Sequence, residues 1–196
     1  MSAYGDPTRT LTRSGITYAD LGLVDEAALT SLAADLIEQA SETVDLYCGR
    51  DFGLHEAVTE RYNGNGRERI RLDGYPIISV ASVTLGGTPL DSASYEVRPG
   101  AGILERIDGG VWSAGRRNIA VVYSYGYATT PPAIARIVEG MVVAALVATK
   151  KRVSVGAVSS ISMDGYSVSY DRITGNLDLT DEWTQILDRY RVVGSA

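Results

Sequence analysis

One histidine, one cysteine and one phenylalanine occur among the 196 residues, and each scarcity closes off chemistry. A histidine-based triad needs a serine and an acid beside the imidazole, and nothing around Leu54-His55-Glu56 forms a nucleophile elbow. A single His and a single Cys leave too few ligands for the usual transition-metal sites. His55 therefore reads as a surface loop residue. Cys48 has no intrachain disulfide partner, which fits a reducing compartment. It also falls at the end of a predicted helix, where the dipole does not favour a thiolate, so it reads as inert. Phosphate loops are missing too. Gly64-Asn65-Gly66 and Gly100-Ala101-Gly102 lack the third glycine of a dinucleotide fingerprint, no Walker sequence occurs, and both segments read as turns. Asp178, Asp181 and Glu182 are the nearest thing to a glycosidase pair or hard-cation site, but a helix N-terminus accounts for the last two more simply. The sequence predicts no catalytic, cofactor-binding or metal-binding residues and no enzyme activity. Long apolar runs are also lacking. The apolar stretch at 140–149 is bounded by Arg136, Glu139 and Lys150-Lys151-Arg152, and a membrane span needs roughly 20 apolar residues. The first residues, Met1-Ser2-Ala3-Tyr4-Gly5-Asp6, carry no basic stretch followed by an apolar core, so no signal peptide is expected.

Apolar residues make up 45% of the chain and charged residues 21%, the balance of a folded, soluble domain. The length suits one domain, with room for an appendage. Twenty-one glycines and 12 tyrosines favour turns and half-buried strands. The net charge of −6 is unevenly spread: residues 1–60 hold 3 Lys/Arg against 11 Asp/Glu, residues 61–130 hold 8 against 6, and residues 131–196 hold 7 against 7. That pattern argues against a general nucleic-acid binder, which would show a basic stripe. An acidic first third beside a mildly basic middle either biases head-to-tail contact between copies or is a solvated helix face.

Residues 1–20 look like an irregular arm. Leu29, Leu32, Ala33, Leu36, Ile37, Ala40, Val44 and Tyr47 then recur at helical spacing and predict a helix over 26–47. Asp25 is placed to cap it and Gly49 to end it in the left-handed conformation. From 56 to 125 short strands alternate with turn signals. Segments 56–62 and 67–72 flank Asn63-Gly64-Asn65-Gly66, which predicts a hairpin. Asp73–Pro76 breaks the chain. A strand over 77–85 slips its alternation near Ala81-Ser82, which predicts a bulge, and Gly86-Gly87 turns it. Short strands follow at 94–97 and 102–107. The strand over 118–125 puts Ile119, Val121 and Tyr123 on one face. Pro131-Pro132 opens a second helix over 133–150, apolar nearly all round, which must be covered on every face; part of that cover is assigned to other copies or a partner. Residues 153–172 read as strands or a long arm, and Thr180 caps a last helix over 181–192. The fold class is α+β: a small helical bundle with an inserted antiparallel β-meander and a C-terminal β-arm plus helix. The chain divides into an N-terminal arm (1–24), a helix–β-meander–helix core (25–152) and a C-terminal arm and helix (153–196).

Three surfaces invite partners. Trp183, Ile186, Leu187 and Tyr190 line one stripe of the last helix, which either packs on its own domain or docks in a groove on a partner. In 163–170 the alternate positions Asp164, Tyr166, Val168 and Tyr170 either add an edge to a neighbour's sheet or close the chain's own. Arg67, Arg69 and Arg71 make one strand face basic, to meet solvent, a neighbouring subunit or nucleic acid. Arg61 extends that set.

Four landmarks, in order, carry a family resemblance: Val44-Asp45-Leu46-Tyr47-Cys48-Gly49-Arg50-Asp51-Phe52; the strand Tyr75–Val83 followed by Tyr95-Glu96-Val97; Val121–Tyr127 followed by Pro131-Pro132-Ala133-Ile134; and the segment Gly156–Tyr170. This order resembles the head–tail connector (adaptor, or head-completion) proteins of tailed bacteriophages, prophages and gene transfer agents, over roughly residues 25–192. The resemblance implies a structural protein forming a ring, commonly of twelve copies, beneath the portal protein. That ring would extend the DNA channel and join head to tail. It also implies no catalytic residues, no cofactor and no membrane. The implied partners are the portal, further neck or tail proteins, other copies of the chain, and DNA passing without sequence recognition. The implied location is the head–tail neck of the virion, with synthesis in the bacterial host cytoplasm. By position, the portal or neighbour contacts would fall on Trp183, Ile186, Leu187, Tyr190, Tyr166, Val168 and Tyr170. Arg67, Arg69 and Arg71 would face a neighbour or the channel. Another neck or tail-completion protein (a stopper) and a β-rich carbohydrate- or ligand-binding module are the alternatives.

Overall fold

The computed structural model describes residues 3–154, 177 and 179–192. Its elements are α1 (Pro7–Ser14), α2 (Glu26–Cys48), β1 (Leu54–Gly64), β2 (Arg69–Arg71), β3 (Ile77–Leu85), β4 (Thr88–Pro89), β5 (Tyr95–Arg98), β6 (Ile103–Arg106), β7 (Gly115–Gly126), α3 (Pro132–Ser154) and α4 (Asp181–Leu187). The chain splits into two units. A helical unit comprises Met1–Phe52 with Thr130–Ala196, and a β unit, Gly53–Thr129, is inserted within it. The α+β class with a sheet inserted between helices is as the sequence predicts.

In the helical unit, α2 forms where its apolar stripe demands. The Asp25 carboxylate accepts from the Ala28 N–H, and Gly49 ends the helix at φ 67°. Every apolar position predicted to face the core is buried from Leu29 to Val44, with Cys48 beyond them. Helix α3 begins at Pro132, where a missing N–H costs nothing. Its buried side, Ile134, Ile137, Val138, Met141, Val142, Ala145 and Leu146, is covered by α1, α2 and α4. The cover thus comes largely from within the chain. By length and composition alone α3 is long and apolar enough to cross a membrane, yet half of that apolar window is buried inside the protein, as in a core helix.

The N-terminal segment departs from expectation. Residues 7–14 form α1, capped by Asp6, whose side chain accepts from the Arg9 N–H, with Pro7 in the first turn. The segment has little apolar content to give a periodic signal, and what orders it is long-range. The backbone N–H of Tyr4 donates to Ser41 Oγ at 3.1 Å, and its hydroxyl donates to Asp45 at 2.8 Å.

The β unit holds a four-stranded antiparallel sheet, ordered β1-β7-β3-β4, and a three-stranded one, ordered β2-β6-β5. The bulge predicted near Ala81-Ser82 appears as a register shift between Val80 and Ser82 against β7. Gly86 and Gly87, both at positive φ, turn β3 into β4. Ile119, Val121 and Tyr123 of β7 are fully buried, among Leu72, Val83, Leu104 and Trp112. At roughly 2 kcal/mol per buried side chain, that shared core holds the unit together.

The Asn63–Gly66 hairpin does not form. β1 pairs with β7 and β2 with β6, so the flanking strands enter different sheets. Side-chain hydrogen bonding explains the difference. Asn65 Oδ1 accepts from the Arg67 N–H and its Nδ2 donates to the Arg69 carbonyl, both at 2.9 Å. The Gly66 N–H donates to the Trp112 carbonyl at 2.7 Å and the Trp112 N–H to the Arg67 carbonyl at 2.8 Å. The loop is thereby tied to the segment before β7, and long-range pairing over the buried face of β7 wins over the local turn. Among the described strands only β3–β4 and β5–β6 pair as sequence neighbours.

Candidate assembly interface

Helix α4 is short and its first turn is well specified. Thr180 Oγ1 accepts from the Trp183 N–H at 3.4 Å, and Asp181 and Glu182 sit at its positive end. Of the predicted stripe, Leu187 is fully buried, while Trp183, Ile186 and Tyr190 are half-buried. Trp183 lies against Gly140 of α3: a Cβ built there would stand 3.2 Å from the indole Cζ2. Tyr190 meets the Phe52 ring edge-on at 5.7 Å between centroids. The Tyr47 hydroxyl donates to Asp188 Oδ1 at 2.7 Å, and the Val192 N–H to the Cys48 carbonyl at 2.9 Å. Helix α4 thus packs on α2 and α3 with Leu187 buried, and leaves parts of Trp183, Ile186 and Tyr190 in reach of solvent. Tyr166, Val168 and Tyr170, and with them the predicted 163–170 edge, lie outside the described residues, as does Asp178.

Arg69 and Arg71 are exposed on β2 and flank the buried Ile70. Arg69 is ion-paired to Glu105 Oε1 at 2.7 Å, and Arg98 to Glu105 Oε2 at 2.5 Å. The Arg69 guanidinium is the main cause holding the Glu105 carboxyl below its ordinary range. Arg71 stacks over Tyr75, with 5.4 Å from guanidinium to ring centroid. Arg67 is exposed beyond the strand's start. The basic face of the sequence is therefore partly neutralised where Glu105 lies and open at Arg67.

His55 lies in β1 rather than in a loop, stacked on Tyr125 at 4.6 Å. Below that stack, Glu60 Oε2 accepts from the hydroxyls of Tyr62 and, at 2.5 Å, Tyr123. Those hydroxyls in turn accept from the N–H groups of Asp73 and Gly74. Burial, followed by the Glu60 carboxylate, pushes both phenols well above their usual range, so they stay protonated and act as a structural clasp. Cys48 is buried and its thiol is pushed up to about 11 by that burial. Among the described residues no group of three or more His, Cys, Asp or Glu side chains could hold a metal ion.

Two features escaped sequence reading. One is the anchoring of the buried Glu139 by Arg9 and Arg13; the signal was a lone acid within an apolar helix. The other is Leu46, 77% exposed on α2, whose signal was an apolar residue off the helix's apolar stripe.

The head completion protein family matches the chain over residues 17–193. The chain belongs to that family. The resemblance read from its four landmarks is borne out at this level. Head completion is a structural role in a virion, and the family is not an enzyme class. No curated protein matches the chain. Two solved structures are similar. One is described as the neck of an empty GTA particle computed with C6 symmetry: 13% identity and a TM-score of 0.45, over 84% of this chain and 81% of that one. The other is described as the neck of a native GTA particle computed with C12 symmetry: 12% identity and a TM-score of 0.46, over 100% of this chain and 94% of that one.

Proposed function

We propose that this head completion protein is the adaptor of the neck. Copies close into a ring under the portal protein, extend the DNA channel and present a surface to the next neck or tail component. The observation that carries this reading is the family match over residues 17–193. The charge is compatible with it. Adhesion to DNA depends on Lys/Arg–phosphate pairs, and a chain with net charge −6 lets DNA pass with little sticking. A ring built from one kind of subunit uses heterologous contacts that close by rotation.

Trp183, Ile186 and Tyr190 are the contacts we assign to the portal or a neighbour, with Leu187 anchoring α4 to its own unit. Tyr166, Val168 and Tyr170 join them as an edge offered to a neighbour. Arg67, Arg69 and Arg71 face a neighbouring subunit or the channel. Mixing the purified protein with the portal encoded beside it, followed by electron microscopy, tests the reading. A collar added to the portal rings is the expected result. Portal rings without a collar would overturn it.

A further inference from the structure

The β unit carries a basic end whose charges find no ion-pair partner among the described residues. Arg67, Arg116 and Arg117 are all exposed, and among the described residues none makes an ion pair, whereas Arg69, Arg98 and Arg106 each meet a carboxylate. The display is held in place. The Trp112 N–H bonds the Arg67 carbonyl at 2.8 Å. The Arg117 N–H bonds Asn63 Oδ1 at 2.7 Å, with Arg117 at φ 49°, a conformation that a side chain bearing a Cβ adopts only under constraint. Val111, next to Trp112, is 42% exposed. The basic end thus includes an apolar side chain.

The helical unit carries a surface of the opposite kind. Helix α2 has 23 residues and no Lys or Arg. Glu38, Glu42 and Leu46 follow at four-residue steps on its outer side, so they share one face over about 12 Å. Both glutamates are exposed and neither has an ion-pair partner among the described residues. Leu46, at 77% exposure, ends the row.

We propose that the Arg67–Arg116–Arg117 end of one copy docks on the Glu38–Glu42–Leu46 row of α2 in a second copy, with Val111 against Leu46. This rests on the ring reading above and names its contact. Among the described residues each set carries unpaired charge of one sign beside an apolar side chain, so charge pairing can flank one dry contact. The two patches differ, so the contact is head-to-tail and can propagate into a ring. Nucleic acid fits less well, because a phosphate backbone gives Val111 nothing to pack on and leaves the acidic row unused.

Two proteins of different tagged length, one carrying Leu46→Cys and the other Val111→Cys, are mixed under mild oxidation, free and with portal rings. Native Cys48 is fully buried and leaves no competing surface thiol. The mixed-length disulfide should dominate over both same-length products. Arg116→Glu with Arg117→Glu on the Val111→Cys partner should cut it by about tenfold, and Glu38→Arg with Glu42→Arg on the other partner should restore it. The Arg→Ala versions should act in the same direction. Rising salt should reduce the yield, since exposed charges are screened within about 8 Å at physiological ionic strength. Equal amounts of all three products, or no disulfide in either setting, would overturn the contact. Collars without the disulfide would refute this contact and leave the adaptor role standing. The disulfide without collars would do the reverse. Retention of labelled duplex DNA that the Arg→Glu changes abolish, with no disulfide, would assign the basic end to phosphate instead.

Discussion

The carboxylate of Glu139, buried in α3, accepts from Arg9 Nε at 2.8 Å. Its other oxygen meets Arg13 at 3.1 Å, so both arginines of α1 close on one acid. Glu139 is 2% exposed. Removing the partners of a buried charge leaves it uncompensated, which costs about 3–5 kcal/mol, whereas an apolar residue of similar volume in place of the acid is often neutral. The arginines here are half solvated, so the lower end applies. Arg9→Ala with Arg13→Ala should cost about 3 kcal/mol in urea unfolding, and adding Glu139→Met should recover most of it. A double variant as stable as the wild type would show that α1 does not hold α3.

Asp45 gives the helical unit a pH dependence. Its carboxyl is pushed up to about 6, chiefly by burial, with Asp51 and Glu42 adding to the rise. The Tyr4 hydroxyl that donates to it offsets part of the effect. The folded state therefore holds this proton more tightly than the unfolded chain, whose value is about 3.9. By linkage the contribution is fully present below about pH 4 and is lost as pH rises from about 4 to 6. Asp45→Asn keeps an acceptor for Tyr4 and removes the charge. Its melting temperature relative to wild type should climb across that window and then level off. A constant difference from pH 4 to 7 would refute the assignment.

Which parts of this architecture were legible follows from where the information lies. Asp25, the α2 stripe, Gly49 and Thr180 are local signals, and each predicted its feature. So was the slip at Ala81-Ser82, because a bulge breaks a period of two within a few residues. The Asn63–Gly66 turn misled because Asn65 bonds within its own loop, Asn63 accepts from Arg117 of β7, and β1 pairs with β7, more than 50 residues on, while β2 pairs with β6. Helix α1 was invisible because Tyr4, Arg9 and Arg13 find their partners at Ser41, Asp45 and Glu139. At the candidate interface, Trp183 and Arg69 were picked out by residue type. Their partial cover by Gly140 and Glu105 depends on side chains distant in sequence.

Gly126 ends β7 where the chain has no room for a side chain. It stands at φ 95°, and a Cβ there would lie 1.9 Å from the Gly53 carbonyl oxygen. The obstacle is backbone, so no rotamer change relieves it. Gly126→Ala should destabilise the β unit by about 3 kcal/mol or more, combining left-handed strain with a displaced β1 end. Gly66→Ala is the matched control: it also has positive φ, but nothing lies within 4 Å of its Cβ, so only the strain, about 1–2 kcal/mol, should appear. Thermal melts of the two variants compare them directly, and equal losses would show that the Gly53 contact is unimportant.

Gly140 sets how closely Trp183 can approach α3. Replacing a helical glycine by alanine gains about 1 kcal/mol in propensity. The new Cβ would meet the indole at 3.2 Å, a few tenths of an ångström too close. Helix α4 has only seven residues, and its ring can shift that far, so Gly140→Ala should change stability by less than about 1 kcal/mol. Gly140→Leu cannot be absorbed in this way and should lift Trp183 off α3. The emission maximum should then move to the red. Trp112, the other tryptophan, is fully buried in the β unit and supplies a constant background. Loss of the α4 contact should also speed tryptic cleavage after Arg189 and Arg191. Unchanged emission and unchanged cleavage in Gly140→Leu would mean that Trp183 is not seated on Gly140, and the assignment of α4 as a helix anchored through Leu187 with Trp183 on its rim would fail with it.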